Sequence, residues 1–259
     1  MDLFTLKLVA TPILMLFVSL AVKKWGSFVG GILSGLPLTS GPVAIFLSLE
    51  QGPAFAAQSA CAALSGLAAV LAAYLGYLFL SRRLSIWATC LSALIIFACS
   101  SAILMFISAL PLTIVISLII ILAIIYFTRN LPSDISKTAT SFWDIPLRML
   151  TATMLLFAIT SSAHAIGPQL SGLLSPVPVI AWPLTVFAHR HGGSKEMMRL
   201  VRGNAVSAVG VILFYLIISG LILRIGILTT FVMAFMASIC VTVLLTRVLR
   251  FTETTDLQL

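Results

Sequence analysis

Long apolar stretches separated by short polar junctions run along almost the whole chain. Windows of about 20 apolar residues have the length needed to cross a bilayer as a helix. They predict nine transmembrane helices, at residues 4–23, 27–49, 54–81, 84–107, 109–128, 145–166, 168–189, 200–223 and 226–248. The predicted fold class is an all-α polytopic membrane protein.

Two of the predicted spans are broken. The sequence GILSGLPLTSGP at residues 31–42 places two prolines inside a span, and GLLSPVPVIAWP at residues 172–183 places three. Proline removes a backbone hydrogen bond and clashes with the preceding turn, so neither span can continue as one helix. We expect the breaks at residues 34–42 and 175–183. Irregular backbone inside a membrane needs cover from protein or a water-filled cavity, so each break requires a reason.

The two breaks belong to an internal repeat with an offset of 141 residues (167 − 26). Residues of the same type coincide without gaps at Gly26 and Gly167, Gly31 and Gly172, Ser34 and Ser175, Pro37 and Pro178, Pro42 and Pro183, Tyr74 and Tyr215, and Cys99 and Cys240. Shared apolar composition seldom produces such matches of Gly, Pro, Tyr and Cys in one register. The predicted units are residues 1–108 and 145–250, with a linker helix and cytoplasmic loop at 109–144 and a tail at 251–259.

Composition supports the membrane assignment. The chain has 61% hydrophobic and 8% charged residues, with a mean hydropathy of +1.19, whereas soluble domains have about 25% charged residues. The formal charge of +8 would suggest nucleic acid in a soluble protein. In a membrane protein it is typical of basic cytoplasmic loops, so no nucleic-acid partner is expected.

The basic residues also predict the orientation. If both broken spans cross the membrane, 13 of the 15 Lys and Arg residues lie on one side, and only Lys7 and Arg224 lie on the other. If the broken spans are re-entrant, the same residues divide 8 and 7. Because basic residues favour the cytoplasmic side, we expect both to cross. This gives a 4+1+4 inverted repeat in a bacterial inner (cytoplasmic) membrane, with the N-terminus outside and the C-terminus in the cytoplasm.

The breaks are the candidate substrate-binding site. Inverted repeats with one discontinuous helix per copy are typical of secondary transporters. The start of a half-helix attracts anions, and freed carbonyls and hydroxyls bind polar groups. The candidate residues are Ser34, Pro37, Thr39, Ser40 and Pro42 in the first break, and Ser175, Pro178, Trp182, Pro183 and Thr185 in the second. The alternative is that the prolines only kink the helices and the glycines allow close packing.

A second candidate is a basic cluster on the predicted cytoplasmic side, here called the basic rim. It consists of His189, Arg190, His191, Lys195, Arg199 and Arg202. One interpretation is an anchor that sets the topology. The other is a vestibule that attracts anionic substrates or lipid head groups.

Several kinds of chemistry are not expected. All seven acidic residues lie away from the middle of the predicted spans, so the buried carboxylate that is common in proton or sodium antiporters is missing. His164 is expected to face water at the outer end of the sixth span. The cysteines Cys61, Cys90, Cys99 and Cys240 are expected to be small buried packing residues. No metal site, cofactor or catalytic residue is predicted; an enzyme acting on lipid through His189 and His191 is the remaining enzymatic alternative.

The segment from Gly172 to Tyr215, with GLLSPVP, VFAHRHGGS and FYL, resembles GlpM-type small bacterial membrane proteins. The matching positions are Leu173, Pro178, Ala188 and His189, and the first half of the chain lacks the histidine. Proteins of that family have about half this length and four predicted helices. The resemblance implies a fused pair of such units, joined by a helix that inverts the second.

The predicted function is that of a secondary transporter or facilitator of a small anionic or zwitterionic solute, working by alternating access at the two facing breaks. One alternative is a flippase or accessory protein for an anionic lipid or a cell-envelope precursor. A second alternative is a membrane subunit that only scaffolds partners. The expected partners are a small-molecule solute and membrane lipid, and homodimerisation is left open.

Overall fold

A computed structural model of the chain describes residues 3–38, 40–106, 109–129, 131, 144–176 and 181–256. All regular elements in this part of the chain are α-helices, as predicted. They are α1 (Leu3–Trp25), α2 (Ser27–Gly35), α3 (Ser40–Gln51), α4 (Pro53–Leu80), α5 (Ile86–Met105), α6 (Leu110–Phe127), α7 (Asp144–Leu174), α8 (Ala181–Ile225) and α9 (Ile227–Asp256).

Among the residues that the structure describes, six helical stretches are long and apolar enough to cross a membrane. They are Ser27–Gln51, which joins α2 and α3, Pro53–Leu80, Ile86–Met105, Leu110–Phe127, Ala181–Ile225 and Ile227–Leu249. These stretches confirm the prediction of a membrane protein with several spans. Most of the predicted loop at 109–144, residue 130 and residues 132–143, lies outside the described residues, as does the His164 side chain.

Glycines with positive φ separate consecutive helices. They are Gly26, Gly52, Gly167, Gly193 and Gly226, with φ values from 69° to 90°. Glycine adopts this conformation without the steric penalty that a Cβ atom would add. Gly26 and Gly167 are 141 residues apart, and so are Gly52 and Gly193. The positive-φ glycine between two helices therefore recurs at the same offset of 141 residues that relates the two halves of the sequence.

Both predicted breaks lie where one helix ends and the next begins. α2 ends at Gly35 and α3 begins at Ser40. α7 ends at Leu174 and α8 begins at Ala181, and Thr39 and residues 177–180 between these helices lie outside the described residues. Pro42 and Pro183 lie in the first turns of α3 and α8. Backbone N–H groups in the first turn have no intrahelical partner, so a proline there removes no helical hydrogen bond.

α8 contains two helices that meet at Gly193, whose φ is 69° and ψ −170°. Its 45 residues would measure about 68 Å as one straight helix, more than twice the hydrocarbon core of about 30 Å. Before the glycine, Trp182 packs on Tyr74 and His189 packs on Tyr77. The first part of α8 therefore runs in the same direction as α4.

After Gly193 the chain turns back. Arg202 lies beside Thr128, just after the end of α6, and Val211 lies beside Leu67 and Val70, in the middle of α4. α4 and α6 run side by side in one direction, since Phe79 and Phe127 near their C-terminal ends stack with ring centroids 5.0 Å apart. The second part of α8 is thus antiparallel to both.

α4 forms the centre of the bundle. About two thirds of its apolar window is buried (67%), against 22% for α5 and α6 and 28% for α9. Its side chains Tyr74 and Tyr77 are fully buried. The outer helices expose large apolar side chains such as Trp87, Ile119 and Leu228, which suits a surface in contact with lipid.

The prediction of buried cysteines is wrong for three of the four. Cys61, Cys99 and Cys240 are exposed at the surface of the chain, and Cys90 is half-buried. An exposed thiol in an apolar span faces lipid or a cavity rather than the interior of the protein. Sequence alone does not distinguish these surroundings, because a lipid-facing and a core-facing position are equally apolar.

Candidate functional site

The two breaks meet at one small cavity, here called the junction cavity. It has a volume of about 30 Å³, room for no more than a few water molecules. The first break contributes Ser34, Gly35, Leu36 and Ser40, and the second contributes Pro176. Leu67 and Val70 of α4 and Asn204, Ala208 and Val211 of α8 complete the lining. The structure therefore brings residues of both predicted breaks together.

The phenol of Tyr215 connects the two breaks. Its oxygen lies 2.9 Å from Oγ of Ser175 in the second break, and the hydroxyl of Ser40 in the first break lies close to the same oxygen. All three side chains are buried. Tyr215 was not among the predicted site residues. Its match with Tyr74 in the repeat was the available signal.

Tyr74, at the position equivalent to Tyr215, is bonded differently. Its hydroxyl lies near the hydroxyl of Thr185 but does not meet the geometry of a hydrogen bond to any described residue. Thr185 donates to the carbonyl oxygen of Ala181 at 2.7 Å. A buried hydroxyl without a partner is destabilising. The Tyr215 phenol is therefore hydrogen-bonded across the two breaks, whereas the equivalent Tyr74 phenol is buried beside Thr185 without such a bridge.

Trp182 belongs to a buried aromatic cluster. Its ring lies 5.7 Å from that of Tyr74 and 6.0 Å from that of Tyr77, measured between centroids. The Tyr77 hydroxyl lies 3.2 Å from Nδ1 of His189, which is only 8% exposed. The predicted role of Trp182 as an apolar wall is compatible with this cluster. His189 is the member of the basic rim that joins this cluster, with its ring edge-on to that of Tyr77 at 5.7 Å.

The rest of the basic rim divides by exposure. Arg190, His191 and Lys195 are exposed. Arg199 forms an ion pair with the buried Glu196, one turn earlier in α8. Arg202 is buried, and its Nη1 donates a hydrogen bond to the carbonyl oxygen of Thr128 at 3.1 Å. Two of the rim cations are thus engaged within the protein.

The close helix contacts occur twice. A methyl group added at Gly31 would collide with the carbonyl oxygen of Leu200, and one added at Gly172 would collide with that of Ser59. Leu200 and Ser59 are themselves 141 residues apart. In each half, the helix that precedes the break packs its backbone on a long helix of the other half. The two halves are therefore interlocked through equivalent contacts.

A larger cavity of about 410 Å³, here called the large cavity, lies between α4, α5, α6 and α7. It is lined by Gln58, Cys61, Ala62, Ser65, Leu104, Met105, Leu110, Thr113, Gln169 and Leu173. One turn of chain, from Leu173 to Pro176, separates it from the junction cavity. That turn lies directly on Gly66, and a methyl group added to Gly66 would collide with Leu173 and Pro176.

The remaining predicted site residues are placed as follows. Thr39 and Pro178 lie outside the described residues. Pro37 is buried, and Pro42 and Pro183 are half-buried. None of these three prolines lines the junction cavity described above. They contribute by ending or starting helices.

The fold and cavities define a polytopic helical membrane protein with two interlocked halves and a small buried junction between them. Comparisons with family models, curated proteins and solved structures found no match to the chain. The proposals that follow therefore rest on its own residues and their geometry.

Proposed function

We propose that the chain is a secondary transporter or facilitator of a small polar solute that works by alternating access. The supporting observation is the meeting of the two breaks, with Ser40 and Ser175 at the Tyr215 phenol. Facing breaks near the midplane are the usual substrate site of transporters with inverted repeats. The hydroxyls there offer hydrogen bonds that an apolar helix face lacks.

Contacts of α6 support an inverted repeat. Near its start, Thr113 lines the large cavity together with Cys61. At its end, Thr128 accepts the hydrogen bond from Arg202. Cys61 and Arg202 are equivalent positions, 141 residues apart, yet the residues of α6 that they approach, Thr113 and Thr128, lie about 22 Å apart at 1.5 Å per residue. A parallel repeat would place equivalent residues at the same depth.

The two ends of the bundle differ in access. The large cavity is at the end that contains Gln58, here called the Gln58 end. At the opposite end, here called the Arg202 end, the equivalent position is occupied by the Arg202 side chain bonded to α6. In the orientation predicted from the basic residues, the Gln58 end faces outside. We therefore interpret the described conformation as open outward and closed inward, with a junction cavity too small for a solute.

The predicted preference for an anionic or zwitterionic solute depends on the basic rim. Because Arg199 pairs with Glu196 and Arg202 bonds to a carbonyl, fewer rim charges are available to attract an anion. The exposed Arg190 and Lys195 remain as the attractive part of that mouth. The transport proposal itself depends on the junction and on the Arg202 contact, and is independent of the net charge of the rim.

A single cysteine at the junction tests the transport proposal. In a background with Cys61→Ala, Cys90→Ala, Cys99→Ala and Cys240→Ala, we expect Ser40→Cys to react slowly with a small membrane-impermeant thiol reagent from each side of sealed vesicles. Adding Arg202→Ala should speed the reaction from the Arg202 end. A variant that keeps only the exposed Cys99 is the matched control and should stay unmodified. Failure of Ser40→Cys to react from either side in either background would rule out a solute path.

A further inference from the structure

The large cavity has a mixed and uncharged lining. Gln58 and Gln169 contribute amides, Ser65 and Thr113 contribute hydroxyls, and Cys61 contributes a thiol. The rest of the lining is Ala62, Leu104, Met105, Leu110 and Leu173. Among the described residues that line this cavity, none carries a formal charge. Its volume of about 410 Å³ falls in the usual range for small-molecule sites.

We infer that this cavity is a binding site for an uncharged, hydrogen-bonding solute with an apolar body. A charged molecule placed there would lose hydration without gaining a counter-charge, which is strongly unfavourable in a low-dielectric site. Glutamine amides both donate and accept hydrogen bonds, so they suit hydroxyl, carbonyl or amide groups. The five aliphatic residues suit the rest of the molecule. That the bound molecule is a transported solute rests on the proposed function; the uncharged, hydrogen-bonding character of the site does not.

The repeat shows that the lack of charge is specific to this end. The positions equivalent to Gln58 and Cys61 are Arg199 and Arg202 (199 − 58 and 202 − 61 are both 141). The same scaffold thus accommodates two guanidinium groups at the Arg202 end. At the Gln58 end the chain has an amide and a thiol at those two positions. Because the equivalent helices carry arginines at the other end, the helix packing itself does not require an uncharged lining.

Native Cys61 is a reporter for the chemistry of the cavity. We would retain it as the single cysteine, with Cys90→Ala, Cys99→Ala and Cys240→Ala, and reconstitute the full chain in liposomes. Four methanethiosulfonate reagents of matched length would be compared, ending in an alkyl, a hydroxyl, a sulfonate or a quaternary ammonium group. Each rate would be divided by the rate of the same reagent with a free thiol in solution.

The proposal predicts that the hydroxyl reagent modifies Cys61 at least as fast as the alkyl reagent. It also predicts that both charged reagents are slower by on the order of tenfold, equivalent to about 1.4 kcal/mol. The double variant Gln58→Leu, Gln169→Leu should lower the ratio of the hydroxyl to the alkyl rate. A protein with only Cys99, which is exposed on the outer helix α5, should react fastest with the alkyl reagent.

Two results would overturn the proposal. Equal rates of a charged reagent and the hydroxyl reagent at Cys61 would show that the cavity accepts charge. A preference for the alkyl reagent, as at Cys99, would show that Cys61 faces lipid. The order of rates is a property of the cavity alone, so it holds or fails independently of the access measurements that test transport.

Discussion

Arg202 and Thr128 join the second part of α8 to the end of α6. Nη1 of Arg202 donates to the Thr128 carbonyl oxygen at 3.1 Å, and both residues are buried, at 8% and 1% exposure. The last carbonyls of a helix lack intrahelical partners, and a cationic donor satisfies them strongly. Through this contact the linker helix closes the bundle at the end opposite the large cavity.

Removal of this contact is expected to destabilise the protein. Arg202→Ala should lower the free energy of unfolding by about 1.5–3 kcal/mol, the usual contribution of a hydrogen bond to a charged group. Arg190→Ala, which removes an exposed cation nearby, should change it by less than about 0.5 kcal/mol. Thermal unfolding in detergent compares the two. Equal losses in both variants would contradict a structural role for the Arg202 contact.

The interlocked glycines are expected to be intolerant of any side chain. Gly31→Ala and Gly172→Ala should each cost about 1–3 kcal/mol or more, because the added methyl group meets a backbone carbonyl rather than a movable side chain. Gly220→Ala is the matched control, since a Cβ at Gly220 has no neighbour within 4 Å.

The control should be neutral or stabilising by about 0.5–1 kcal/mol, because alanine favours a helix more than glycine does. The measurement is again the midpoint of thermal unfolding. Similar midpoints for Gly172→Ala and Gly220→Ala would show that the halves are not in close contact at Ser59.

The matched tyrosines are expected to respond differently to loss of the hydroxyl. Tyr215→Phe leaves Ser175 without its 2.9 Å partner and should cost about 1–3 kcal/mol. Tyr74→Phe removes a hydroxyl that has no hydrogen bond to the described residues, so it should be neutral or slightly stabilising. A loss of stability in Tyr74→Phe as large as in Tyr215→Phe would show that the Tyr74 hydroxyl is satisfied in the folded protein.

The histidines of the basic rim should also differ. His189→Leu keeps an apolar side chain of similar size but leaves the buried Tyr77 hydroxyl without Nδ1, so we expect a loss of about 1–3 kcal/mol. His191→Leu changes an exposed side chain and should have little effect on the unfolding midpoint. The reverse order would place His191 rather than His189 in the packed interior.

The local backbone features were the most predictable from sequence. Pro37 and Pro42 identified the first break because proline cannot continue a helix. Gly26 and Gly167 were used only as a repeat match, although the tolerance of glycine for positive φ also suits the helix boundaries that they form. These effects act over a few residues. A proline alone does not give the residue at which a helix begins, since the first turn of a helix tolerates a proline such as Pro42.

Long-range packing was less predictable. Nothing local to Tyr215 indicates that its phenol meets hydroxyls from both breaks, and nothing local to Cys61 indicates that it lines a cavity with Gln169. The large cavity depends on how α4, α5, α6 and α7 come together. The burial of His189 was likewise not indicated by its charged neighbours in sequence, since its surroundings are set by Tyr77, 112 residues away in the chain.

The most direct test of alternating access uses cysteines at two equivalent positions, Ser65 and Val206 (206 − 65 = 141). Ser65 lines the large cavity, and Val206 is 1% exposed. In the background without native cysteines, Ser65→Cys should react with an impermeant reagent only from the Gln58 end, and Val206→Cys should be protected from both sides.

Adding Arg202→Ala should favour the opposite conformation by about tenfold or more, given the size of the lost hydrogen bond. We predict that Val206→Cys then reacts from the Arg202 end, while the reaction of Ser65→Cys from the Gln58 end slows in the same proportion. Faster reaction of Val206→Cys with no slowing at Ser65→Cys would contradict alternating access, because it would show local loosening at Arg202 instead of a coupled exchange between the two halves.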